Sequence, residues 1–574
     1  MTLTLLDVLT FLAFILLVVG VSLYASRREE SSEDYFLAGR KLSWWLIGFS
    51  LIASNISTEH FVGMAGSAFG RVGLAIASYE WMSAITLVIV AWWLLPKFLR
   101  IGIYTMPEFL EYRYDGVTRT IMAIYLLLLY VIALLATVLY SGSQGLNGVF
   151  HFNQMFVDHF GMSPEAAHSA ALYSGIWFIG IVAAIYTVFG GLKAVVWSDL
   201  IQGGALLLGG AIVLYLGLEV TGGGSITEGW RVFSEANADK LHVVLPWNDP
   251  DVPWLAVFVG GLWIPNLFYW GLNQFITQRT LGAKSLAEGQ KGIYLACVFK
   301  LLIPFIIVIP GIMAFELYGP EILATAGGDV SKAGEQAYPY LITRILPPFL
   351  RGIMLAALAG AVMSTFNSGI NSASTIFTID LYKKFLRPDA STRQQVKIGR
   401  YATAIIALFA CLIAPLPGSF KGVFAYIQEI WGFISPGIVA AFLGGILLPR
   451  APLISGRIVL ILGPILYAFA RVPKWIFQSI YKVEGGTLFL RDSHDPVGGF
   501  QQVLFDFNNI AFLHHMAMIF IVLMLIMIWL NHRSPLPQPV TYPQSDLDVR
   551  THPSTYVYGT LIILATIALY ILFW

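Results

Sequence analysis

The sequence has few charged residues for its length. Only 12% of its 574 residues are charged, whereas a soluble domain averages about 25%. Hydrophobic residues make up 57%, and the mean hydropathy is +0.74. These values exclude an ordinary soluble protein and indicate an integral membrane protein. The net charge of +1 also argues against nucleic acid as a partner, since nucleic-acid-binding chains are strongly basic.

Several signals of other protein classes are missing as well. The only two cysteines, Cys297 and Cys411, each stand in an apolar run, which is typical of small buried residues and not of a disulfide framework. No GxxxxGK[ST] motif occurs, so the chain has no P-loop for ATP. We find no nucleophile–base pair and no metal-ligand spacing, and we therefore do not expect an enzyme. The sequence also shows no sign of an obligate protein partner.

The first apolar run, from Leu3 to Tyr24, lacks the basic residues that precede the apolar run of a signal peptide. Its positive charges, Arg27 and Arg28, follow the run instead. We therefore predict a first membrane helix and not a cleaved signal.

Apolar runs long enough to cross a bilayer recur along the chain, and we count about fourteen. The loops rich in lysine and arginine fall on one face if both termini lie outside, which sets the orientation by the positive-inside rule. We predict an all-α, multi-pass protein of the cell membrane, either a bacterial inner membrane or a plasma membrane. Its regions are an N-terminal peripheral helix (1–41), a first five-helix block (42–218, helices 2–6), an extracellular loop (219–252), a second five-helix block (253–450, helices 7–11) and C-terminal peripheral helices 12–14 (451–574).

The two five-helix blocks have opposite orientations, and each opens with an interrupted helix. The first interruption is predicted at 53–57, and the second at Gly260–Gly261 and at Pro265–Asn266. A broken helix is tolerated in a membrane only where the freed backbone lines a site or is buried in protein. An inverted repeat with discontinuous first helices is the pattern of LeuT-type secondary transporters.

Polar side chains occur within the apolar segments, where a charge costs about 2.5–3.5 kcal/mol on insertion scales. Asn55, His60 and Glu80 surround the first interruption, and Lys300 lies in the middle of helix 8. Glu80 shares a helix face with Ser83, and the two offer hydrogen-bonding groups suited to sugar hydroxyls. The alternative is that Glu80 is only the structural partner of Lys300.

Helix 7 carries a stripe of aromatic and amide side chains on one helix face. The stripe consists of Asn266, Tyr269, Trp270 and Asn273. An aromatic ring such as Tyr269 can stack on the C–H face of a pyranose, although aromatic stripes also serve plain packing. Gln428 occupies a similar depth in helix 11.

Helix 9 is rich in small and hydroxyl side chains. One face carries Ala361, Ser364, Thr365 and Ser368. Two hydroxyls and a backbone carbonyl that face the broken backbone of helix 2 make an all-oxygen cage for a small hard cation. The structural alternative is that the hydroxyls bond the carbonyls four residues back. Asp199, at the start of helix 6, either suits the helix N-terminus or guides a cation inward.

At these residues the sequence resembles the sodium/solute symporter family, and within it the sodium/glucose cotransporter branch. The resemblance covers about residues 30–450. The motifs that carry it are EDYFLAGR, NISTEHFVGM, GLAIASYEWMSAITL, GIYTMPEF, GGLKAVVWSDLIQ, NLFYWGLNQFITQRTLGAKS, NSASTIFTIDLYKKF and YIQE.

The resemblance implies a role for each candidate residue. The implied sugar site consists of Asn55, His60, Glu80, Ser83, Asn266, Tyr269, Lys300 and Gln428. The implied gates consist of Met64, Tyr79, Phe424, Tyr269 and Trp270. The implied sodium ligands are the backbone oxygens of Ala53, Ile56 and Ala361 and the hydroxyls of Ser364 and Thr365. Some members have a second sodium site or an exit path at the positions of Asp199, Asn367 and Ser368. Members that transport two sodium ions carry Ser or Thr at the Asn367 position. The resemblance therefore favours one sodium ion per solute here.

The resemblance therefore implies a symporter that imports a hexose, glucose or galactose, by alternating access. Its partners would be sodium, the sugar and the lipid bilayer. Bacterial galactose members carry Gln at the His60 position, whereas animal glucose members carry His, so the identity of the sugar stays open. The alternatives are a symporter for myo-inositol or another polyol, and a sodium-gated sugar sensor or pore of the same fold.

Overall fold

The computed structural model describes residues 4–27, 31–150, 152–416, 423–484, 486–490 and 496–574. The protein is mostly helical, at 81%. The helices of the first half are α1 (Leu5–Ala25), α2 (Ser32–Leu37), α3 (Trp44–Asn55), α4 (Ala65–Phe69), α5 (Ser78–Ile89), α6 (Leu95–Ile101), α7 (Met106–Arg113), α8 (Gly116–Leu128), α9 (Ala136–Phe150), α10 (Phe152–Phe160), α11 (Pro164–Thr221) and α12 (Ile226–Ala236). Tighter or wider helical turns lie at Ala38–Arg40, Glu59–Met64, Gly73–Ala77, Val90–Leu94, Leu129–Leu135 and Ala238–Lys240.

The second half continues in the same way. Its helices are α13 (Trp254–Phe258), α14 (Trp263–Leu267), α15 (Gln274–Leu281), α16 (Leu286–Thr325), α17 (Val330–Ile345), α18 (Leu350–Ile376), α19 (Thr392–Ile413), α20 (Val423–Leu447), α21 (Ile454–Ile480), α22 (Phe500–Asn509), α23 (Phe512–Arg533) and α24 (Thr555–Leu572), with π-helical turns at Phe268–Leu272 and Phe377–Leu386. One antiparallel hairpin joins β1 (Lys482–Glu484) to β2 (Thr487–Phe489), with Val483 opposite Leu488.

Twelve helical stretches of the described chain are long and apolar enough to cross a membrane. One of them, α11, has 58 residues and bends at Gly191, so each of its two arms can cross separately. A glycine is needed at this bend because its φ is +51° and an added Cβ would lie 2.2 Å from the carbonyl oxygen of Tyr35. If the two arms of α11 are counted separately and the interrupted segment α3–α4 is added, the twelve stretches become fourteen spans. This number agrees with the prediction of about fourteen.

The interruption predicted in the first block is present. Helix α3 ends at Asn55, and Ile56 is extended, with φ −76° and ψ 116°. In the second block the break at Gly260–Gly261 is present between α13 and α14. The break predicted at Pro265–Asn266 is wrong.

Pro265 is the third residue of α14, where its missing N–H has no helical acceptor to lose, so the helix continues through it. The chain instead leaves the helix at Asn273, which is extended and whose side chain caps the following helix α15 by accepting from Phe275 N. Asn273, predicted as part of an aromatic and amide face, is therefore a capping residue at the second break of this segment.

The region 219–252, predicted as a loop, contains helix α12. Its start carries the sequence Ser225-Ile-Thr-Glu228, and the Ser225 side chain accepts from the backbone N of Glu228. This is a common N-terminal signal of a helix. Phe233 is buried and most of the other side chains are exposed, so α12 lies on the surface of the bundle and does not cross it.

The centre of the bundle is α18, which packs against α11, α3 and α15. It is buried over 89% of its apolar window, more than any other span of the described chain. Helix α3 also packs on α16 and α11. Both cysteines are buried and unpaired, as predicted. The hydroxyl-rich helix of the sequence is therefore the innermost one.

The packing of α11 on α3 gives a matched pair of substitutions. A Cβ added at Gly203 would lie 2.7 Å from the Ala53 Cβ, whereas Gly204 has open space around it. We expect Gly203→Ala to lower the melting temperature of the purified protein, because overpacking costs about 1–3 kcal/mol. Gly204→Ala should be neutral or slightly stabilising, since alanine favours a helix by about 0.5–1 kcal/mol over glycine. Equal melting temperatures in the same detergent would contradict this contact.

Candidate functional site

A cavity lies where the interrupted segments of the two blocks face α5, α16 and α20. Its walls are formed by Asn55, Glu59, His60, Tyr79, Glu80, Ser83, Leu134, Pro265, Asn266, Phe268, Tyr269, Trp270, Lys300, Thr365, Ile427, Gln428 and Trp431. All eight residues of the predicted sugar site are among them. The cavity holds about 60 Å³, so its walls are close together, and a solute of hexose size requires side chains to move apart.

A buried ion pair forms one wall of the cavity. The Lys300 Nζ lies 2.5 Å from Glu80 Oε2 and also donates to Asn55 Oδ1. The His60 Nε2 lies 3.4 Å from the other oxygen of Glu80, and the Lys300 ammonium lies 4.7 Å from the ring centre of Trp270. Glu80 is thus the partner of Lys300 and also faces the cavity, so both sequence interpretations of this residue have a geometric basis.

Two buried polar atoms of the cavity residues have no hydrogen-bond partner among the described residues. They are the Nδ1 of His60 and the Nδ2 of Asn266. The opposite end of the Asn266 amide is occupied, because its Oδ1 lies 3.0 Å from the hydroxyl of Ser83. Buried polar atoms normally find a partner, so these two atoms are places where a polar ligand could bond.

The predicted gate residues are partly gathered here. Tyr79, Tyr269 and Trp270 line the cavity, and the rings of Tyr269 and Trp270 meet edge to face with centroids 5.1 Å apart. Met64 is fully buried on the turn after the first break, but it does not line the cavity. The side chain of Phe424 lies outside the part of the chain whose side chains the structure describes.

The predicted sodium ligands lie around the broken end of α3. The Thr365 Oγ1 lies 3.0 Å from the backbone oxygen of Ser54 and 3.2 Å from that of Ala361. Ala53 lies in the last turn of α3 and Ile56 directly follows the helix, so the helix does not continue to donate to their oxygens. The donors are all oxygens, which suits a small hard cation.

The hydroxyl of Ser364 does not face this group of oxygens. It donates instead to the Oδ1 of Asp199, over 2.5 Å. Asp199 also accepts from Ser50 and Ser54 of α3, over 2.5 and 3.1 Å. The carboxylate is fully buried in α11 and is not an exposed residue of a helix start.

The cation that compensates Asp199 is Arg279. Its guanidinium lies 3.5 Å from the carboxylate and donates to the hydroxyls of Ser50, Ser54 and Ser368. The side chain is 1% exposed. Arg279 therefore binds three of the hydroxyls around Asp199, including the Ser368 hydroxyl that was assigned to a second sodium site.

Asn367 does not join this group. Its amide nitrogen donates to the hydroxyl of Tyr186. The Ser368 hydroxyl instead accepts from Arg279, so the two neighbouring side chains have different partners. Of the three predicted second-site residues, the structure brings together Asp199 and Ser368 only.

Sequence reasoning missed two residues of this region. Arg279 of α15 has no role in the site predicted from the sequence. The signal that could have found it is Asp199, since a buried carboxylate needs a cation. Glu59, which is not among the predicted site residues, lines the cavity next to His60.

Comparison with known proteins identifies the family of this chain. A model of the sodium:solute symporter family matches residues 35–453. The chain is 42% identical to the sodium/glucose cotransporter of Vibrio parahaemolyticus over 462 residues, which are 77% of this chain and 81% of the relative. It is 37% identical to the uncharacterized symporter YidK of Escherichia coli over 83% and 80% of the two chains. It is 31% identical to the human sodium/myo-inositol cotransporter 2 over 76% and 66%.

The fold has a solved counterpart. The structure of a Na⁺-coupled sialic acid symporter, in a substrate-bound outward-open state, superposes with a TM-score of 0.71 at 20% identity and covers 93% of this chain and 99% of that one. This likeness confirms the LeuT-type fold. The family match and the relatives make the protein a multi-pass membrane transporter that uses sodium. The chain belongs to the sodium:solute symporter family and is a sodium-coupled solute symporter.

Proposed function

We propose that the protein imports a hexose, glucose or galactose, together with sodium. The observation that carries the proposal is the single cavity that gathers all eight predicted sugar-binding side chains. It combines amides, a hydroxyl and a charged pair with the rings of Tyr269 and Trp270. Such a set suits a pyranose, whose rim carries hydroxyls and whose faces carry C–H groups. The 42% identity with a relative named a sodium/glucose cotransporter supports the same substrate class.

The charge of the cavity favours a neutral solute. Lys300 and Glu80 compensate each other at 2.5 Å, so neither requires a charged ligand. In the proposed bound state, solute hydroxyls replace the bond between Lys300 and Asn55 and reach the unpartnered atoms of His60 and Asn266. A buried polar group without a hydrogen-bond partner costs free energy. A solute with hydroxyls that bond these groups is therefore favoured over one without them.

Sodium is proposed to bind at the broken end of α3. The ligands are the backbone oxygens of Ala53, Ile56 and Ala361 with the hydroxyls of Ser364 and Thr365, after Ser364 turns away from Asp199. The fit rests on the short distances from Thr365 to the oxygens of Ser54 and Ala361.

This position provides the physical link between the ion and the sugar. Asn55, a proposed sugar ligand, directly follows Ser54, whose backbone oxygen contacts Thr365. A cation that holds the end of α3 against α18 therefore also fixes Asn55, and the sugar then binds a preformed site. A ligand can shift a conformational equilibrium only through such a difference in affinity between states.

We propose that one sodium ion moves with each sugar. Arg279 donates to the hydroxyl of Ser368 and compensates Asp199, so its guanidinium takes the place that a second cation would need. A second sodium ion beside this fixed positive charge would meet like-charge repulsion in a medium of low dielectric constant. The amide nitrogen of Asn367 donates to Tyr186 and not to the group around Asp199.

The main rival is a cyclic polyol such as myo-inositol, which mammalian relatives at 31–32% identity are named for. Both solute classes carry a rim of hydroxyls, so the cavity's donors and acceptors suit either.

We expect purified protein in liposomes to accumulate labelled galactose or glucose above equilibrium when a sodium gradient is imposed. Myo-inositol should be accumulated less and should compete weakly. Preferential accumulation of myo-inositol would reject the hexose; mere equilibration would indicate a pore, and absence of movement a sensor.

The sugar site can be tested at Gln428, which lines the cavity without belonging to the Lys300–Glu80 pair. Loss of a partner in a buried polar site costs about 1–3 kcal/mol, so Gln428→Ala should raise the half-saturating sugar concentration roughly tenfold or more. The control is Gln154→Ala on the exposed surface of α10. A half-saturation that is equal in both variants would remove Gln428 from the site.

The sodium assignment can be tested with two hydroxyls of α18. Thr365→Ala removes a proposed sodium ligand, and we expect loss of sodium-driven uptake with normal expression. Ser368→Ala removes a partner of Arg279 and should keep coupled uptake at one sodium per sugar. The reversal potential of the sugar-dependent current gives the ratio when the two gradients are varied separately.

The ratio has a large effect on accumulation. A potential of 100 mV contributes about 2.3 kcal/mol per charge, and a tenfold sodium gradient about 1.4 kcal/mol. One ion then supports an accumulation of roughly several hundredfold, and two ions roughly the square of that. A measured ratio of two in the wild type would overturn the one-ion proposal, and sodium-driven uptake in Thr365→Ala that matches the wild type would overturn the sodium site.

A further inference from the structure

A groove opens on the outer surface of the bundle, between α16, α24 and the start of α3. It is lined by Trp44, Lys291, Tyr294, Leu295, Val298, Tyr558, Leu561 and Ile562, and its volume is about 500 Å³. No residue of this groove lines the central cavity. The groove is therefore a separate feature, on a surface that faces the bilayer and not the transport path.

The polarity of the groove changes along its length. Lys291 marks one end, and Val298 lies seven residues further along α16, about 10 Å at the helical rise. Beyond Lys291 the wall is apolar, with Leu295 and Val298 on α16 and Leu561 on α24. A charged end that leads into an apolar slot matches the layout of a phospholipid, whose phosphate precedes its acyl chains.

Lys291 is the charge that remains available in this groove. Its ammonium makes no ion pair with the residues that the structure describes, within 4.0 Å. The acid three residues before it, Glu288, is already engaged: it accepts from the backbone N of Trp44 over 2.9 Å and lies 3.9 Å from Lys284. The mouth of the groove thus presents an uncompensated positive charge.

Aromatic side chains surround this charge. The rings of Tyr294 and Tyr558 meet edge to face with centroids 6.1 Å apart, and Trp44 begins α3 beside them. Tryptophan and tyrosine are enriched at the level of lipid headgroups. The Tyr294 hydroxyl is buried, so the part of this side chain that borders the groove is its ring. Lys291 lies on the lysine- and arginine-rich face, which the positive-inside rule assigns to the cytoplasm.

We propose that this groove binds an anionic phospholipid of the cytoplasmic leaflet. The phosphate sits at Lys291, beside the aromatic rings of Tyr294 and Tyr558, and one acyl chain lies along Leu295, Val298 and Leu561. Charge complementarity selects the anionic class, because the uncompensated ammonium attracts a headgroup with a net negative charge. A zwitterionic headgroup brings its own cation to the mouth and loses that attraction.

The test counts lipids that remain bound to the purified protein by native mass spectrometry, in equal amounts of phosphatidylglycerol and phosphatidylcholine. A lysine near the membrane surface contributes about 1 kcal/mol toward anionic lipid, so the wild type should retain phosphatidylglycerol about fivefold in preference. Lys291→Gln should lose that preference, and Lys291→Arg should keep it. The matched control is Lys397→Gln, whose lysine is exposed on α19 far along the chain, and it should behave as the wild type.

A second variant tests the apolar part of the groove and not the charge of Lys291. Val298 is 45% exposed, so Val298→Trp can fill the groove from the lipid side without disturbing the core. It should lower the number of retained phosphatidylglycerol molecules while Lys291 is intact. The proposal is overturned if the wild type retains both lipids equally, if Lys291→Gln keeps the preference, or if Val298→Trp retains as much phosphatidylglycerol as the wild type.

Discussion

The centre of this transporter depends on the buried ion pair between Arg279 and Asp199. The pair joins α15 to α11, and serines of α3 and α18 supply the remaining hydrogen bonds, so four helices meet at one point. Removing one partner of a buried pair typically costs about 3–5 kcal/mol, because the other charge is left uncompensated. The arrangement of the four helices around Thr365 therefore follows from the need to satisfy two charges in an apolar environment.

A second buried pair, Lys300 with Glu80, has a different setting. The Arg279–Asp199 pair is enclosed by hydroxyls and has 1% or less of its side-chain surface exposed. The Lys300–Glu80 pair borders a cavity and is contacted by Asn55 and His60, which bear further hydrogen-bonding capacity. One pair is therefore suited to holding helices together, whereas the other can exchange partners with a polar solute without leaving a charge unpaired.

The interrupted helix α3 brings these two regions within a few residues of each other. Its last two turns supply Ser50 and Ser54 to the Arg279–Asp199 pair, a backbone oxygen to Thr365, and Asn55 to the cavity. An unbroken helix would have used those carbonyls in its own hydrogen bonds. The break thus gives one short segment contacts with the structural pair, with the proposed sodium ligands and with the proposed sugar site.

The sequence by itself determined the membrane class, the approximate number of spans, the break after Asn55 and eight of the residues that line the cavity. Each of these depends on local properties: run length, charge scarcity, and polar residues where lipid would exclude them. The resemblance to family motifs indicated which residues, distant from one another in the chain, belong to the same site. Only the tertiary structure decided that Pro265 stays helical, that Ser364 turns to Asp199, that Asn367 bonds Tyr186 and that Arg279 compensates Asp199. These outcomes depend on which helices pack side by side and on the rotation of each helix about its axis. A hydroxyl, amide or guanidinium often has several polar neighbours within reach. The packing of the helices then decides which neighbour it bonds, and its position in the chain does not.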